Sequence, residues 1–437
     1  MQICRVSREF KDKKQIFKHV IKEFHESRLP ELCERDLVIP NTKKIITLVG
    51  ARRSGKTFYF YQIIKSLLNS APKERIVYIN FEDDRLLPLD IKELDILLEA
   101  YYELYPENKD KEIYMFLDEI QNINSWETYI RRICDKENAK IWITGSNSKL
   151  LSMEIATSLR GRTLTFCIYP LSFREFLRFN NAPPDKNCYY SKERFKIKKL
   201  FEKYLAFGGF PEVALERNNL ENKILGNYYE IMIYRDIVER FAVRNISLLK
   251  SLSRFLLTNI SSLFSANSYY TSLKGKIAIS KNAIFEYLSY LEEINLIFLV
   301  SLFDYSLKKQ QANPKKAYCI DNGLRNAVSF KFSKDEGKLA ENLVFIELKR
   351  REKGIYYWKN KGEVDFVVKN KDQSLAAINV SYTDEIDERE IKSLLEFKKG
   401  FKSKTRELML LTKDTEKNWQ GIKFVPLWKW LLENGED

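Results

Sequence analysis

The chain has 437 residues, a length that suggests roughly three domains. Hydrophobic residues make up 44% and charged residues 31%, a globular balance, and the scarcity of Gly (15) and Pro (11) excludes collagen-like and linker-rich readings. Lysine and arginine outnumber aspartate and glutamate 74 to 60, and the net +14 favours a polyanionic partner (nucleic acid, nucleotide or an acidic membrane surface) without choosing among them.

Only two histidines are present, His19 and His25, and neither has the neighbours of a Ser-His-Asp triad or an H-E-x-x-H zinc site. The six cysteines, Cys4, Cys33, Cys134, Cys167, Cys188 and Cys319, include no C-x-x-C pair. Scattered in this way they read as reduced thiols of a cytosolic protein. The start, MQICRVSREFKDKK, is polar and charged and does not read as a signal peptide. No uncharged apolar run approaches the roughly 18 residues of a membrane span, so no membrane partner is expected and the protein is placed in the cytoplasm.

Residues 1–43 read as one or two charged helices, with Ile16, Val20, Ile21 and Phe24 at helical spacing. Between 44 and 170 short apolar runs alternate with helical stretches: IITLVG, IVYINF, IYMFLD, KIWITG and TLTFCIYP. Runs that are almost wholly apolar suit strands buried on both faces of a parallel sheet, and their alternation with helices predicts an α/β fold. Residues 171–243 read as helical, broken by AFGGFPEV. From 244 to 325 helices are followed by two short strands with a basic polar loop between them, the pattern of a winged helix-turn-helix. Residues 326–437 read as a small α+β module, with the helix KLAENLVFIELKRR, the strands YYWK, EVDFVV and AAINVSY, and the helix REIKSLLEFKK.

Residues 50–57, Gly-Ala-Arg-Arg-Ser-Gly-Lys-Thr, match G-x-x-x-x-G-K-[ST] between an apolar strand and a helix, the required context for a phosphate-binding loop. Gly50 and Gly55 permit the turn that aims backbone N–H groups at phosphate oxygens, with Ala51, Arg52, Arg53 and Ser54 between them. Lys56 would neutralise the β- and γ-phosphates of ATP and Thr57 would offer its hydroxyl to Mg²⁺. The strand IYMFLD ends in Asp118 and Glu119, of which Asp118 would hold the Mg²⁺ shell and Glu119 would polarise the attacking water. Ser146 and Asn147 follow the next strand, where small polar side chains either sense the γ-phosphate or cap a helix. Arg160 and Arg162 are candidates for an arginine finger, acting in cis or on a neighbouring subunit, against the alternative of a surface pair. Arg52 and Arg53 either meet phosphate or face solvent. Glu82, Asp83 and Asp84 read as an acidic turn before they read as metal ligands.

GARRSGKT, FLDEIQ with Trp126 shortly after, ITGSNSKLLS, SLRGR before YPLSFREFL, and YRDIVER over 234–240 together resemble one family. It is the prokaryotic, mainly archaeal, P-loop ATPases of the AAA/STAND kind, whose C-terminal half carries a winged helix and a PD-(D/E)XK nuclease-like domain. The resemblance covers nearly the whole chain. It implies a five-stranded ATPase core with an added strand between the two Walker motifs, and a catalytic glutamate. It also implies a metal-holding aspartate on one late strand, an acid on the next and a lysine two residues on. Asp365 fits the first of these, with Glu341 or Glu347 as a further carboxylate from the preceding helix. The second strand offers Asn379 for the acid and Ser381 for the lysine, so the site reads as disarmed.

The helix KNAIFEYLSYLEEIN would be the recognition helix, with Ile284, Tyr287, Leu288 and Leu291 inward. Glu286, Glu292 and Glu293 suit the major groove poorly. Basic clusters stand at Lys308, Lys309, Lys315 and Lys316 with Gln310 and Gln311, at Lys196, Lys198 and Lys199, at Lys349, Arg350 and Arg351, and at Lys398, Lys399, Lys402 and Lys404. Three functions compete: an ATPase acting on DNA through these clusters, an ATP-gated switch with a protein partner or a homo-oligomer, and an ATP-regulated nuclease.

Overall fold

The structure is a computed structural model; it describes residues 2–145, 159, 161–184, 192–275, 279–329 and 335–433. Two compact units divide the chain, Met1–Ile168 and Tyr169–Asp437.

The first unit runs α1 (Gln2–Glu26), β1 (Ile45–Val49), α2 (Lys56–Leu67), β2 (Ile76–Asn80), α3 (Leu94–Leu104), β3 (Ile113–Asp118), α4 (Trp126–Lys136), β4 (Ala139–Gly145) and β5 (Thr163–Cys167). The strands form one parallel sheet in the order β2-β3-β4-β1-β5. Thus β4 lies between β1 and β3, the added strand that the family resemblance implies. The expected strands begin and end within three residues of the observed ones. Side-chain alternation explains why these runs are almost wholly apolar. Val77, Ile79, Met115, Leu117, Ile141 and Ile143 point to a core shared with α1, α3 and α4. Ile46, Leu48, Ile76, Tyr78 and Phe116 point to a second core against α2. The lead-in is one helix, and its Val20, Ile21 and Phe24 are buried as their spacing predicts.

The second unit opens with α5 (Phe173–Phe179), α6 (Glu193–Phe207), α7 (Pro211–Leu215) and α8 (Glu221–Ile233), the last continuing into a π-helical turn, Tyr234–Glu239. Next come α9 (Ile246–Thr258), β6 (Ser262–Phe264), α10 (Ala266–Leu273), α11 (Lys281–Glu293), β7 (Ile297–Val300), α12 (Leu307–Ala312), β8 (Lys315–Cys319) and α13 (Asn322–Val328). Strands β6, β8 and β7 pair antiparallel in that order. The expected basic loop between β7 and β8 contains the short helix α12, because Ser306 caps its first turn at the Lys309 N–H. The remaining elements are α14 (Glu336–Arg350), β9 (Gly354–Lys359), β10 (Glu363–Lys369), β11 (Leu375–Ser381), α15 (Glu388–Gly400), β12 (Thr405–Thr412), β13 (Lys417–Trp419), β14 (Ile422–Pro426) and α16 (Leu427–Trp430). They build a mixed sheet in the order β13-β14-β12-β11-β10-β9 around Val364, Val367, Leu394, Phe397, Leu408 and Leu410.

The break at AFGGFPEV has a definite cause. Gly208 sits at φ 73, and a Cβ there would lie 2.0 Å from Asp321 Oδ1. The Asp321 carboxylate accepts from Gly209 N at 2.7 Å and from Leu324 N at 3.1 Å, tying the break after α6 to the first turn of α13.

Candidate functional site

The loop 50–57 leaves β1 and enters α2 at the C-terminal edge of the parallel sheet. Gly50 has φ 156, and a Cβ there would stand 2.3 Å from the Ile168 carbonyl oxygen, so the loop can turn here only on glycine. Lys56 is buried and folds back into the loop, its Nζ 3.1 Å from Gly50 O and 3.4 Å from Ala51 O. Ser54 Oγ is buried with no hydrogen-bond partner among the described residues. Arg52 turns to Glu82, at 3.0 Å, while Asp83 accepts from Arg85. The acidic turn therefore pairs with neighbouring arginines.

The end of β3 brings the other candidates to this loop. The Thr57 hydroxyl donates to Asp118 Oδ2 at 2.7 Å. Glu119 Oε1 is 3.5 Å from Lys56 Nζ, and its other oxygen accepts from the Gln121 amide. Glu119 itself takes a left-handed backbone, φ 53, a conformation that non-glycine residues keep only when their surroundings impose it. Thr144 on β4 supplies that constraint. Its hydroxyl accepts from Glu119 N at 2.9 Å and donates to Asp118 Oδ1. Tyr78 on β2 donates to Asp118 Oδ2 at 3.2 Å.

Environment separates the two carboxyls. Burial and the neighbouring Glu119 charge raise Asp118 above the ordinary range, against the pull of the Thr144 and Thr57 hydroxyls and of Lys56. Burial also acts to raise Glu119, but the Lys56 ammonium, the Gln121 amide and the Arg52 guanidinium outweigh it and hold the group below its usual range. Glu119 is thus an ionised carboxylate beside a buried ammonium.

Thr144 and Tyr78 were missed in the sequence because each lies inside an otherwise apolar strand. The signal was present: a lone threonine before the glycine of KIWITG, and a tyrosine hydroxyl in IVYINF. Ser146, Asn147 and Arg160 lie outside the described residues.

Arg162 does not meet the loop, which removes this residue as a finger in cis and leaves Arg160 as it stood. It immediately precedes β5, whose Thr163 pairs with Ile45 at the start of β1. The phosphate loop begins only after Val49, about 17 Å further along the strand direction. The Arg162 guanidinium is 39% exposed and pairs with Asp135 at 3.1 Å.

Several candidates in the second unit also move. Glu347 is not beside Asp365; it pairs with Arg350 at 2.7 Å and Arg351 at 2.9 Å, which removes those arginines from the basic surface. Glu341 does approach Asp365, with Lys316 between them. Lys316, expected on an exposed basic segment, is buried because strand alternation turns it inward from β8. Asn379 spends its side chain on structure, accepting from Asp365 N at 3.0 Å and donating to Glu390 at 2.8 Å. His25 is a core histidine between the Tyr105 hydroxyl, at 2.7 Å, and Ile76 O, at 2.8 Å. Among the described residues no helix is long and apolar enough to cross a membrane.

A glycine-bounded loop at a helix N-terminus, facing a threonine–aspartate pair in a β2-β3-β4-β1-β5 sheet, defines a P-loop ATPase domain of the AAA type. Residues 42–177 match the family model described as an AAA domain, and 198–335 and 336–430 match two domains of unknown function, DUF8612 and DUF4143. The chain is 37% identical to the uncharacterized protein MJ1544 of Methanocaldococcus jannaschii, covering 99% of this chain and 98% of that one. It is 31% identical to an uncharacterized protein of Haemophilus influenzae over 90% and 95% of the two chains. This chain belongs to that family of archaeal and bacterial AAA-domain proteins. Among solved structures, the Aeropyrum pernix ORC1 protein in complex with DNA aligns at 12% identity and a TM-score of 0.28 over 73% of this chain and 91% of that one.

Proposed function

We propose that the protein binds Mg²⁺-ATP in the loop 50–57 and hydrolyses it, and that the nucleotide state is read out by the second unit. The observation that carries this reading is the pairing of Thr57 with Asp118 while Glu119 lies 3.5 Å from Lys56. A hydroxyl and a carboxylate on one point form a hard-oxygen donor pair suited to Mg²⁺. The cradle that a Cβ at Gly50 would fill, with the unpartnered Ser54 hydroxyl beside it, suits a polyphosphate.

In this reading Thr57 and Asp118 would hold Mg²⁺, which would supply neutralisation of the phosphate charge. The chain's own residues do the rest. Lys56 exchanges its carbonyl partners for phosphate oxygens, and the loop N–H groups hold the β-phosphate. Glu119, ionised and fixed by Thr144, takes the proton of the attacking water at a carboxylate oxygen. Arg162, distant from its own loop, stabilises phosphate charge only on a neighbouring copy, so that role requires a homo-oligomer.

The second unit supports a winged-helix reading through the order β6-β8-β7 beside α9, α10 and α11. Ile284, Tyr287, Leu288 and Leu291 of α11 face inward, as the periodicity predicts. We propose a DNA or protein partner for this module. Lys308 and Lys309 on α12 and the Lys398–Lys404 stretch remain available to DNA, whereas Lys316, Arg350 and Arg351 do not.

The test is nucleotide binding and ATP turnover for Lys56→Ala and Glu119→Gln, with and without duplex DNA at two salt concentrations. Lys56→Ala is expected to lose tight ATP binding. Glu119→Gln is expected to bind ATP and to turn it over at least 100-fold more slowly, as the loss of a general base requires. Turnover at the parent rate by Glu119→Gln would refute the catalytic assignment. DNA stimulation that fades with salt selects the DNA partner; indifference to DNA selects the protein partner.

A further inference from the structure

The second unit holds a buried ionic cluster that the ATPase reading does not use. Lys316 on β8 is 2% exposed. Its ammonium lies 2.8 Å from Glu363 Oε1, 2.9 Å from Asp365 Oδ1 and 3.1 Å from Glu341 Oε1. An ammonium has three N–H donors, and here each has its own carboxylate. The carboxylates are themselves held. Tyr318 donates to Glu341 Oε1 at 2.6 Å, Val380 N donates to Asp365 Oδ2 at 2.9 Å, and Lys359 pairs with Glu363 at 3.2 Å. Asn379 fixes the Asp365 backbone from the next strand.

Three carboxyl groups that converge on one point, Glu341 and Asp365 largely buried and Glu363 34% exposed, call for a cation among them. A divalent ion would sit about 2.0–2.6 Å from their oxygens. The observed spacings of 2.8–3.1 Å are those of ammonium hydrogen bonds, and the nitrogen stands at the point where the three oxygens converge. Among the described residues no group of three or more His, Cys, Asp or Glu is placed to hold a metal ion, so a divalent ion would require these oxygens to close in from their ammonium spacings. The arrangement also explains the deep burial of a lysine in a strand whose neighbour Lys315 stays partly exposed.

We propose that Lys316 is the resident cation of the Glu341–Glu363–Asp365 cluster: its ammonium occupies the position of a divalent ion, closes this cleft to Mg²⁺, and pins the β6-β8-β7 sheet to the terminal module. Removing it creates a divalent-cation site. Burial and the nearby Asp365 push Glu341 up to about 8, so near neutrality Glu341 is chiefly the protonated member of the three. The cluster therefore holds its charge compensation without any ion from solution. None of these residues belongs to the ATP site, so the two readings fail separately.

The experiment is Mn²⁺ titration of the full, nucleotide-free chain followed by electron paramagnetic resonance, with thermal unfolding in parallel. The wild type is expected to show no Mn²⁺ site that Asp365→Asn abolishes. Lys316→Gln is expected to gain one, at least tenfold tighter than any site of the wild type, with a rise in melting temperature on adding Mn²⁺. Both gains are expected to vanish in Lys316→Gln/Asp365→Asn. A Mn²⁺ site in the wild type that Asp365→Asn removes, or a folded Lys316→Gln that gains none, overturns the proposal. If Lys316→Gln does not fold, the double variant, with one carboxylate fewer left uncompensated, is expected to fold; failure of both overturns it as well.

Discussion

Replacing Thr144 by valine tests the geometry of the proposed site without touching a residue that would meet nucleotide. Valine keeps the shape but removes the oxygen that accepts from Glu119 N at 2.9 Å and donates to Asp118. Thr144 is fully buried and Glu119 nearly so, so no solvent replaces the missing partners. An orphaned buried N–H costs about 1–3 kcal/mol, and a hydrogen bond to a carboxylate is worth about 1.5–3 kcal/mol. Valine's apolar burial offsets part of this, leaving an expected loss of about 2–4 kcal/mol in the unfolding free energy of the first unit. Glu119 is also deprived of the hydrogen bond that holds its left-handed backbone. The expected fall in turnover is about 10- to 100-fold, the size of effect that misplacing a catalytic group by an ångström produces. ATP affinity should change by less than about threefold, because every loop group proposed to meet phosphate remains. Urea unfolding read at the nucleotide-sensitive transition gives the first quantity, single-turnover kinetics the second, and equilibrium nucleotide binding the third. Thr144→Ser restores both hydrogen bonds and should restore turnover. A Thr144→Val protein within about 0.5 kcal/mol of wild type that turns over ATP at the parent rate would refute the reasoning.

Asp321 predicts a pH dependence. Burial lifts its carboxyl from 3.8 to about 6, against the backbone N–H groups of Gly209, Leu324 and Gly323. A raised folded value means that ionisation costs stability, so this group's contribution falls as pH rises from about 4 to about 6, by up to about 3 kcal/mol. Asp321→Asn should therefore gain stability relative to wild type across that window, and a difference independent of pH in urea melts would count against it. Gly208→Ala places a Cβ 2.0 Å from the same carboxylate at φ 73, and a loss of at least about 2 kcal/mol in the second unit's melt is expected. For Arg162, turnover should fall in Arg162→Ala only under conditions where the chain self-associates; an equal fall in a monomer at high dilution would exclude the trans role.

The phosphate loop and the strand ends were legible because each depends on local chain chemistry. G-x-x-x-x-G-K-T needs its glycines wherever it occurs, and a strand covered on both faces is mostly apolar until it ends. That is why Asp118 and Glu119 stood out after IYMFLD, while Thr144 and Tyr78, inside strands, did not. Their value comes from neighbours 26 and 40 positions away in the chain, a distance no periodicity encodes. The distance of Arg162 from its own loop was hidden for a related reason: proximity in sequence to β5 says nothing about which end of the sheet a residue occupies, and the register Ile45–Thr163 decides it. In the second unit β12 and β14 escape the sequence reading, because TRE opens β12 with polar and charged residues and hides the apolar LMLL that follows.

Lys316 shows how net charge misleads when it is read residue by residue. In KKAYC the two lysines look equivalent, yet they point to opposite faces of β8. Lys315 stays partly exposed at the start of the strand; Lys316 meets three carboxyl groups from α14 and β10. The same holds for Lys349, Arg350 and Arg351, of which the two arginines are consumed by Glu347. Subtracting these buried and paired cations leaves less positive charge on the face of the terminal module than the run of basic residues promises. A DNA partner, if the second unit takes one, then relies on the α12 lysines, the 398–404 stretch and the exposed Lys196 and Lys199. Those segments are where neutralising substitutions should reduce the salt dependence of binding, by about one unit of slope for each DNA phosphate that no longer meets a lysine.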